Sequence, residues 1–137
     1  MTATPTETGM KNTSRKRILL AEDYHANIVV AHALLQTLGF DVIVAKNGQE
    51  ALDKLTEDTF DLVLMDVQMP EMDGYTATRI IREEQAANKL PQVKIIGMTA
   101  HSFMEDRQRC LDAGMDDYIA KPFEPAQLES IIHKYLV

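Results

Sequence analysis

Residues 61–74 of the chain read DLVLMDVQMPEMDG, and this stretch contains one strand–loop–helix unit of the predicted fold. The apolar run Leu62–Met65 predicts a short strand buried on both faces, and Asp66 stands where this strand ends. Asp73 and Gly74 then predict the start of a helix, because an aspartate side chain accepts hydrogen bonds from the first amide groups of a helix. The stretch therefore predicts a strand, a loop and a helix in succession.

The same unit recurs along the chain. Four other short apolar runs are each followed by a segment with helical periodicity, and they lie at Ile18–Ala21, Val42–Ala45, Val93–Met98 and Tyr118–Ala120. Continuous apolar strands that alternate with helices are typical of a parallel sheet covered on both faces. Because a closed barrel of such units needs eight of them, we predict an open, doubly wound α/β domain with a five-stranded parallel sheet.

The ends of the expected helices are also marked. Capping residues followed by Glu three positions later predict helix starts at Asn47 and Ser102, and Pro125 suits the first position of the last helix. Glycines predict helix ends at Gly39 and Gly114. In the first helix we expect a stripe of core-facing residues at Ala31, Leu34, Leu35 and Leu38.

The length of 137 residues fits one domain. Residues 1–14 are rich in threonine and lack apolar periodicity, which predicts a flexible tail or the stub of a linker. We expect the domain itself to occupy residues 15–137.

Charge and cysteine content narrow the function classes. A net charge of -7 argues against direct nucleic-acid binding, which draws its affinity from cationic side chains. The single cysteine, Cys110, excludes an internal disulfide and fits a reducing cytosol. No apolar run is long enough to span a membrane, and the N-terminus lacks the apolar stretch of a signal peptide. We therefore expect a cytoplasmic domain without direct membrane insertion.

Polar residues stand at the ends of four of the five predicted strands. Glu22 and Asp23 follow the first strand, Asp66 the third, Thr99 the fourth and Lys121 the fifth. In an open parallel sheet, the carboxyl ends of the strands form one edge, where ligands bind. We therefore expect three carboxylates, a hydroxyl and an ammonium group to lie close together.

This set of groups suits phosphoryl transfer with a divalent cation. Crowded carboxylates repel each other by about 4 kcal/mol per pair at 4 Å and an effective dielectric constant near 20, so a cation must offset the charge. Mg²⁺ binds one or two carboxylates and leaves room for phosphate oxygens. An aspartate can then attack phosphorus and form an acyl phosphate, while the cations stabilise the transferred group.

The motifs resemble those of a known family. Glu22-Asp23, Asp61–Gly74, Met98–Ala100 and Lys121-Pro122 resemble, in this order, the motifs of the receiver domains of two-component response regulators. The resemblance covers about residues 16–137 and is closest to receivers of hybrid sensor histidine kinases. It implies a flavodoxin-like (βα)5 fold with strand order 2-1-3-4-5. It also implies a phosphorelay function, in which the domain switches conformation to control a partner or a linked domain.

The resemblance also implies a role for each residue of the site. Asp66 is the expected phosphoacceptor; Asp23 and Asp66 bind Mg²⁺ directly, Glu22 binds it through a water, and Gln68 offers its backbone carbonyl. Thr99 is expected to donate a hydrogen bond to the phosphoryl group, and Lys121 to pair with it. Tyr118 matches the aromatic residue that moves inward when Thr99 is drawn toward phosphate.

The implied partners are proteins. The phosphoryl donor is expected to be a histidine kinase or a histidine-phosphotransfer domain, and the output a protein partner or a linked domain. An outward face of the first helix with Ile28, Val29 and His32 is a candidate docking surface. Tyr24 and His101 depart from the usual residues at the rim of the site.

Other functions stay open at this point. The chain could be a stand-alone single-domain regulator, or a binding-only pseudo-receiver that never accepts phosphate. A haloacid-dehalogenase-type phosphatase needs a second Asp two residues after its nucleophile, and Gln68 stands there instead. A receiver catalyses only its own phosphorylation and dephosphorylation, whereas a hybrid parent chain would be a protein-histidine kinase.

Overall fold

A computed structural model of the chain describes residues 15–100 and 104–136. In these ranges, strands and helices alternate from the first element to the last. The elements are β1 (Arg17–Ala21), α1 (His25–Thr37), β2 (Asp41–Ala45), α2 (Gly48–Glu57), β3 (Leu62–Asp66), α3 (Gly74–Ala86), β4 (Lys94–Thr99), α4 (Met104–Ala113), β5 (Asp117–Ala120) and α5 (Pro125–Leu136). The tail predicted at residues 1–14, the predicted helix cap at Ser102 and the rim residue His101 lie outside the described ranges.

The sheet confirms the predicted architecture. Its strands lie in the order β2-β1-β3-β4-β5, and every neighbouring pair is parallel. Ala21 of β1 pairs with Met65 of β3, so the residues that follow these two strands meet at the same edge. Because the order reverses direction between β1 and β3, this edge is the crevice where open α/β sheets bind their ligands.

Helices cover both faces of the sheet, as the continuous apolar strands predicted. All five residues of β3 are buried. Val63 and Ile95 belong to a core cluster with side chains of α2, α3 and α4. Leu62 and Leu64 belong to a second cluster, with side chains of α1 and α5. Alternate residues of one strand thus pack into two hydrophobic clusters, one on each face of the sheet. This packing fixes the position of the strand ends.

The helix ends follow the predicted capping pattern where they are described. The side chain of Asn47 accepts a hydrogen bond from the Glu50 amide at 2.8 Å, and that of Asp73 accepts one from the Thr76 amide at 2.8 Å. Gly39 and Gly114 follow α1 and α4 with φ of 97° and 106°, a conformation in which other residues are strained.

Two strands are longer than predicted at their carboxyl ends. Asp66 is the last residue of β3 and pairs with Met98, and Thr99 is the last residue of β4 and pairs with Ala120. The backbone of both residues is therefore fixed by pairing within the sheet.

The stripe predicted for α1 was partly wrong. The buried residues are Ile28, Ala31 and Leu35, whereas Leu34 and Leu38 are only half-buried. Ile28 is 9% exposed, so its expected place on an outward docking face is incorrect. The core-facing stripe of α1 therefore begins at Ile28, one turn earlier than predicted. Val29 and Val30 are instead exposed, at 52% and 57%. Among the described residues, no helix is both long and apolar enough to cross a membrane.

Candidate metal and phosphoacceptor site

Three carboxylates meet at the carboxyl edge of the sheet. Glu22 and Asp23 follow β1, and Asp66 ends β3; one oxygen from each lies within 4.8 Å of the other two. Glu22 and Asp66 are 1% and 3% exposed, whereas Asp23 is open to solvent. Oxygen ligands of this kind suit a hard divalent cation, and the exposed Asp23 leaves an entry path from solvent.

Backbone amide groups orient the two buried carboxylates. The Tyr24 amide donates a hydrogen bond to Glu22 Oε2 at 3.1 Å, and the Gln68 amide donates one to Asp66 Oδ1 at 3.2 Å. Each carboxylate therefore has one oxygen held by the loop that follows its strand. The second oxygen of each faces Lys121.

Lys121 lies between the two buried carboxylates. Its ammonium nitrogen is 3.1 Å from Glu22 Oε1 and 3.2 Å from Asp66 Oδ2. Its own amide donates a hydrogen bond to the Thr99 carbonyl oxygen at 2.7 Å, which ties it to the end of β4. Burial lowers the pKa of Lys121, but the charges of Asp66 and Glu22 outweigh that effect and raise it above its ordinary value. The ammonium group therefore stays charged at neutral pH.

The net charge of the site is nevertheless negative, because it contains three carboxylates and one ammonium group. The pKa of Asp66 is raised from 3.8 to about 6, chiefly by burial and then by the hydrogen bond and the negative charge of Glu22. The Gln68 amide and Lys121 oppose the change without cancelling it. A bound divalent cation would supply the positive charge that Lys121 alone does not.

Gly74 brings the start of α3 against the backbone of Asp66. Its amide donates a hydrogen bond to the Val67 carbonyl oxygen at 3.2 Å, and a Cβ at this position would clash with the Asp66 carbonyl oxygen. The sequence indicated only that Gly74 begins a helix. Gly74 also lets the loop fold back over the end of β3. This second role depends on its close approach to the Asp66 backbone, which no local sequence pattern reveals.

The two predicted switch residues lie on neighbouring strands. Thr99 is buried at 1% exposure, at the end of β4. Tyr118 is half-buried in β5, pairs with Gly97 and packs against the cluster that includes Val63. Thr99, Lys121 and the three carboxylates thus occupy one edge of the sheet, while Tyr118 lies further back along β5.

One residue beside the site was not predicted. An open groove of about 670 Å³ is lined by residues that include Asp23, Gln68, Tyr75 and Arg109. Arg109 lies on α4, and its guanidinium carbon is 4.6 Å from the centre of the Tyr75 ring on α3. Nothing in the local sequence distinguishes Arg109 from its neighbour Arg107, because only the packing of α4 against α3 decides which one faces the groove.

Comparison with known proteins places the chain in a family. Residues 18–133 match the model of the response regulator receiver domain. Hybrid signal transduction histidine kinase L of Dictyostelium discoideum is 43% identical in an alignment of 122 residues that covers 87% of this chain and 7% of that kinase. The chain therefore spans only a small part of this relative.

Solved structures agree. The receiver domain of sensor histidine kinase PA1611 from Pseudomonas aeruginosa, crystallised with magnesium in its active-site cleft, is 40% identical with a TM-score of 0.78, over 88% of this chain and 97% of that one. The receiver domain of Ssk1 from Saccharomyces cerevisiae, solved with the phosphotransfer protein Ypd1, is 28% identical with a TM-score of 0.84, over 88% of each chain. With its fold, its acidic cluster and this match to the family, the chain belongs to the response regulator receiver domains of two-component phosphorelays.

Proposed function

We propose that Asp66 accepts a phosphoryl group from a phosphohistidine, and that the phosphorylated domain controls a protein partner or a linked domain. The observation that carries this proposal is the convergence of Asp66 with Glu22, Asp23 and Lys121 at one sheet edge. A buried carboxylate between an ammonium group and a divalent-cation site can act as a nucleophile toward phosphorus.

In the transfer, an oxygen of Asp66 forms a bond to phosphorus while the bond from phosphorus to the donor nitrogen or oxygen breaks. Lys121 pairs with the transferred group, and Thr99, at the end of the adjacent strand, donates a hydrogen bond to it. Both groups act on the charge spread over the three phosphoryl oxygens, where electrostatic stabilisation contributes most to catalysis.

The metal is proposed to be Mg²⁺. Asp23 and Asp66 would bind it directly, Glu22 through a water, and Gln68 through its backbone carbonyl. The acidic cluster of three carboxylates supports this assignment, because one oxygen of each lies within 4.8 Å of the other two. Magnesium in the cleft of the PA1611 receiver adds support from a relative. When bound, the ion neutralises the developing charge on the phosphoryl oxygens.

Phosphorylation is proposed to shift a conformational equilibrium through Thr99 and Tyr118. The dianionic group would draw the Thr99 hydroxyl toward Asp66, and Tyr118 would move into the space that this movement opens. A tenfold bias between two states needs about 1.4 kcal/mol, which one or two charge-assisted hydrogen bonds supply.

The donor is proposed to dock on the outward face of α1. Val29 and Val30 are exposed and His32 is half-buried on this helix. Beside them, a pocket of about 160 Å³ lies between Val30, Phe123 and Lys121. An apolar surface next to the active-site lysine suits a helical partner that brings a phosphohistidine to Asp66. The Ypd1–Ssk1 complex shows that a related receiver binds a histidine-phosphotransfer protein.

The similarity to hybrid kinases favours an origin in a longer kinase chain over a stand-alone regulator. The domain boundaries at residues 1–14 and 15–137 and the cytoplasmic location stay predictions. A binding-only pseudo-receiver would not need the intact site, and Gln68 lacks the acid–base group that an aspartate-nucleophile phosphatase requires.

Intact-mass spectrometry after incubation with acetyl phosphate tests the proposal. We expect a gain of about 80 Da, one phosphoryl group, in wild-type protein with Mg²⁺ and no gain in Asp66→Asn or in the presence of EDTA. An unmodified wild-type protein, under conditions that preserve acyl phosphates, would favour the pseudo-receiver instead.

A further inference from the structure

The groove beside the proposed phosphoacceptor carries an unfavourable charge for an anionic donor. Three of its lining side chains are the carboxylates of Asp23, Asp73 and Asp106. A small phosphodonor such as an acyl phosphate is a dianion, so these side chains repel it on its way to Asp66. Within the part of the chain that the structure describes, Arg109 is the one cationic side chain that lines this groove.

The side chain of Arg109 is supported by the ring of Tyr75. Its guanidinium group lies over the face of the Tyr75 ring, with 4.6 Å between the guanidinium carbon and the ring centre. Tyr75 itself is 7% exposed, so the surface on which the arginine lies is part of the core. A stacked guanidinium keeps its hydrogen-bond donors at its edges free to meet an anion. Lys121, by contrast, lies between Glu22 and Asp66.

We propose that Arg109 determines the preference of this domain for small phosphodonors with an anionic leaving group. The inference rests on the proposed function, since it assumes that Asp66 attacks the donor. Arg109 attracts the donor into the groove and stabilises the negative charge that develops on the leaving group.

The chemistry predicts a difference between two donors. With acetyl phosphate, the Asp66 oxygen bonds to phosphorus, the bond from phosphorus to the acetyl oxygen breaks, and acetate leaves with the electron pair and a negative charge. With phosphoramidate in its N-protonated form, the phosphorus–nitrogen bond breaks, the electron pair goes to nitrogen, and ammonia leaves without charge. In an in-line transfer the leaving group lies opposite Asp66, and we place it in the open groove that Asp23 and Gln68 line. A cation there helps acetate to leave more than it helps ammonia.

The test compares rate constants for phosphorylation by the two donors, measured by intact mass with saturating Mg²⁺ at about 0.1 M ionic strength. The variants are Arg109→Gln and Arg109→Glu. Arg107→Gln is the matched control, because Arg107 is an exposed arginine of the same helix that does not line the groove.

We expect Arg109→Gln to slow labelling by acetyl phosphate about threefold and Arg109→Glu about tenfold, with less than about a twofold change for phosphoramidate. Arg107→Gln should match wild type with both donors. An equal loss with both donors would overturn the inference, because it would assign Arg109 a packing role, and so would unchanged rates. Wild-type protein labelled by neither donor would overturn the proposed function, and this inference with it.

Discussion

The ammonium nitrogen of Lys121 lies 3.2 Å from Asp66 Oδ2, although the two residues are 55 positions apart in the sequence. The fold makes this contact by placing β3 and β5 on either side of β4, so that their ends converge on one edge. The ion pair is nearly enclosed, with side-chain exposures of 18% for Lys121 and 5% for Asp66. It is therefore screened less than a surface pair, and removal of either partner would leave a buried charge without its counter-charge.

Lys121→Gln removes the cation that two buried carboxylates share. We expect the metal-free protein to lose about 2 kcal/mol of unfolding free energy, because Glu22 and Asp66 are left without a counter-charge. Urea unfolding in EDTA measures the loss. Lys134→Gln is the control, since Lys134 forms an exposed pair with Asp117 and its loss should cost less than about 0.5 kcal/mol. Equal effects of the two substitutions would show that the buried pair is no stronger than a surface one.

The raised pKa of Asp66 predicts an unusual pH dependence in the absence of metal. Because its pKa is about 6 in the folded protein and near 3.8 when unfolded, the folded state binds more protons between these values. The contribution of Asp66 to the free energy of unfolding is therefore fully present below about pH 4 and is lost as the pH rises through about 6. Asp66→Asn should lack this dependence. The unfolding free energy of the variant relative to wild type should therefore grow by about 2 kcal/mol from pH 4 to pH 8. Parallel urea midpoints of the two proteins across this range would contradict the assignment.

Mg²⁺ should stabilise the folded protein through the acidic cluster. At a concentration one hundred times the dissociation constant, a ligand that binds only the folded state adds about 2.7 kcal/mol of unfolding free energy. We expect Asp23→Asn to remove most of this gain in a thermal-unfolding titration. Asp53→Asn changes an exposed carboxylate on α2, away from the cluster, and should keep it. A gain that survives Asp23→Asn would place the ion elsewhere.

Val30→Glu should separate the two kinds of donor. The substitution puts a charge on the apolar surface of α1 beside the pocket that reaches Lys121. We expect it to slow transfer from a phosphorylated histidine-phosphotransfer protein at least tenfold and to leave labelling by acetyl phosphate unchanged. Leu111→Glu adds the same charge to an exposed position on α4 and serves as the control. A similar loss with both donors would argue for damage to the site instead of to docking.

The residues at the carboxyl ends of the strands could be predicted from the sequence. Glu22, Asp66 and Lys121 each follow or end a buried strand, and parallel strands bring such residues to one edge whatever the details of packing. The strand order itself came from the family resemblance and not from periodicity, because short buried strands carry no record of their neighbours.

Features that depend on helix rotation and on helix–helix contacts were harder to predict. Ile28 was expected to be exposed and is buried, since apolar residues occur almost all around α1 and the sequence does not define which stripe faces the sheet. Arg109 was not predicted at all. Its place in the groove follows from the packing of α4 on Tyr75, which is a contact between residues 34 positions apart.

The most direct test of the central claim is to identify the phosphorylated residue. Wild-type protein labelled with acetyl phosphate and Mg²⁺ is reduced with borohydride, which converts an aspartyl phosphate to homoserine, and its peptides are then sequenced by mass spectrometry. We predict homoserine at position 66 and unmodified aspartate at position 23. Homoserine at position 23, or its absence from both positions in a labelled protein, would contradict the account.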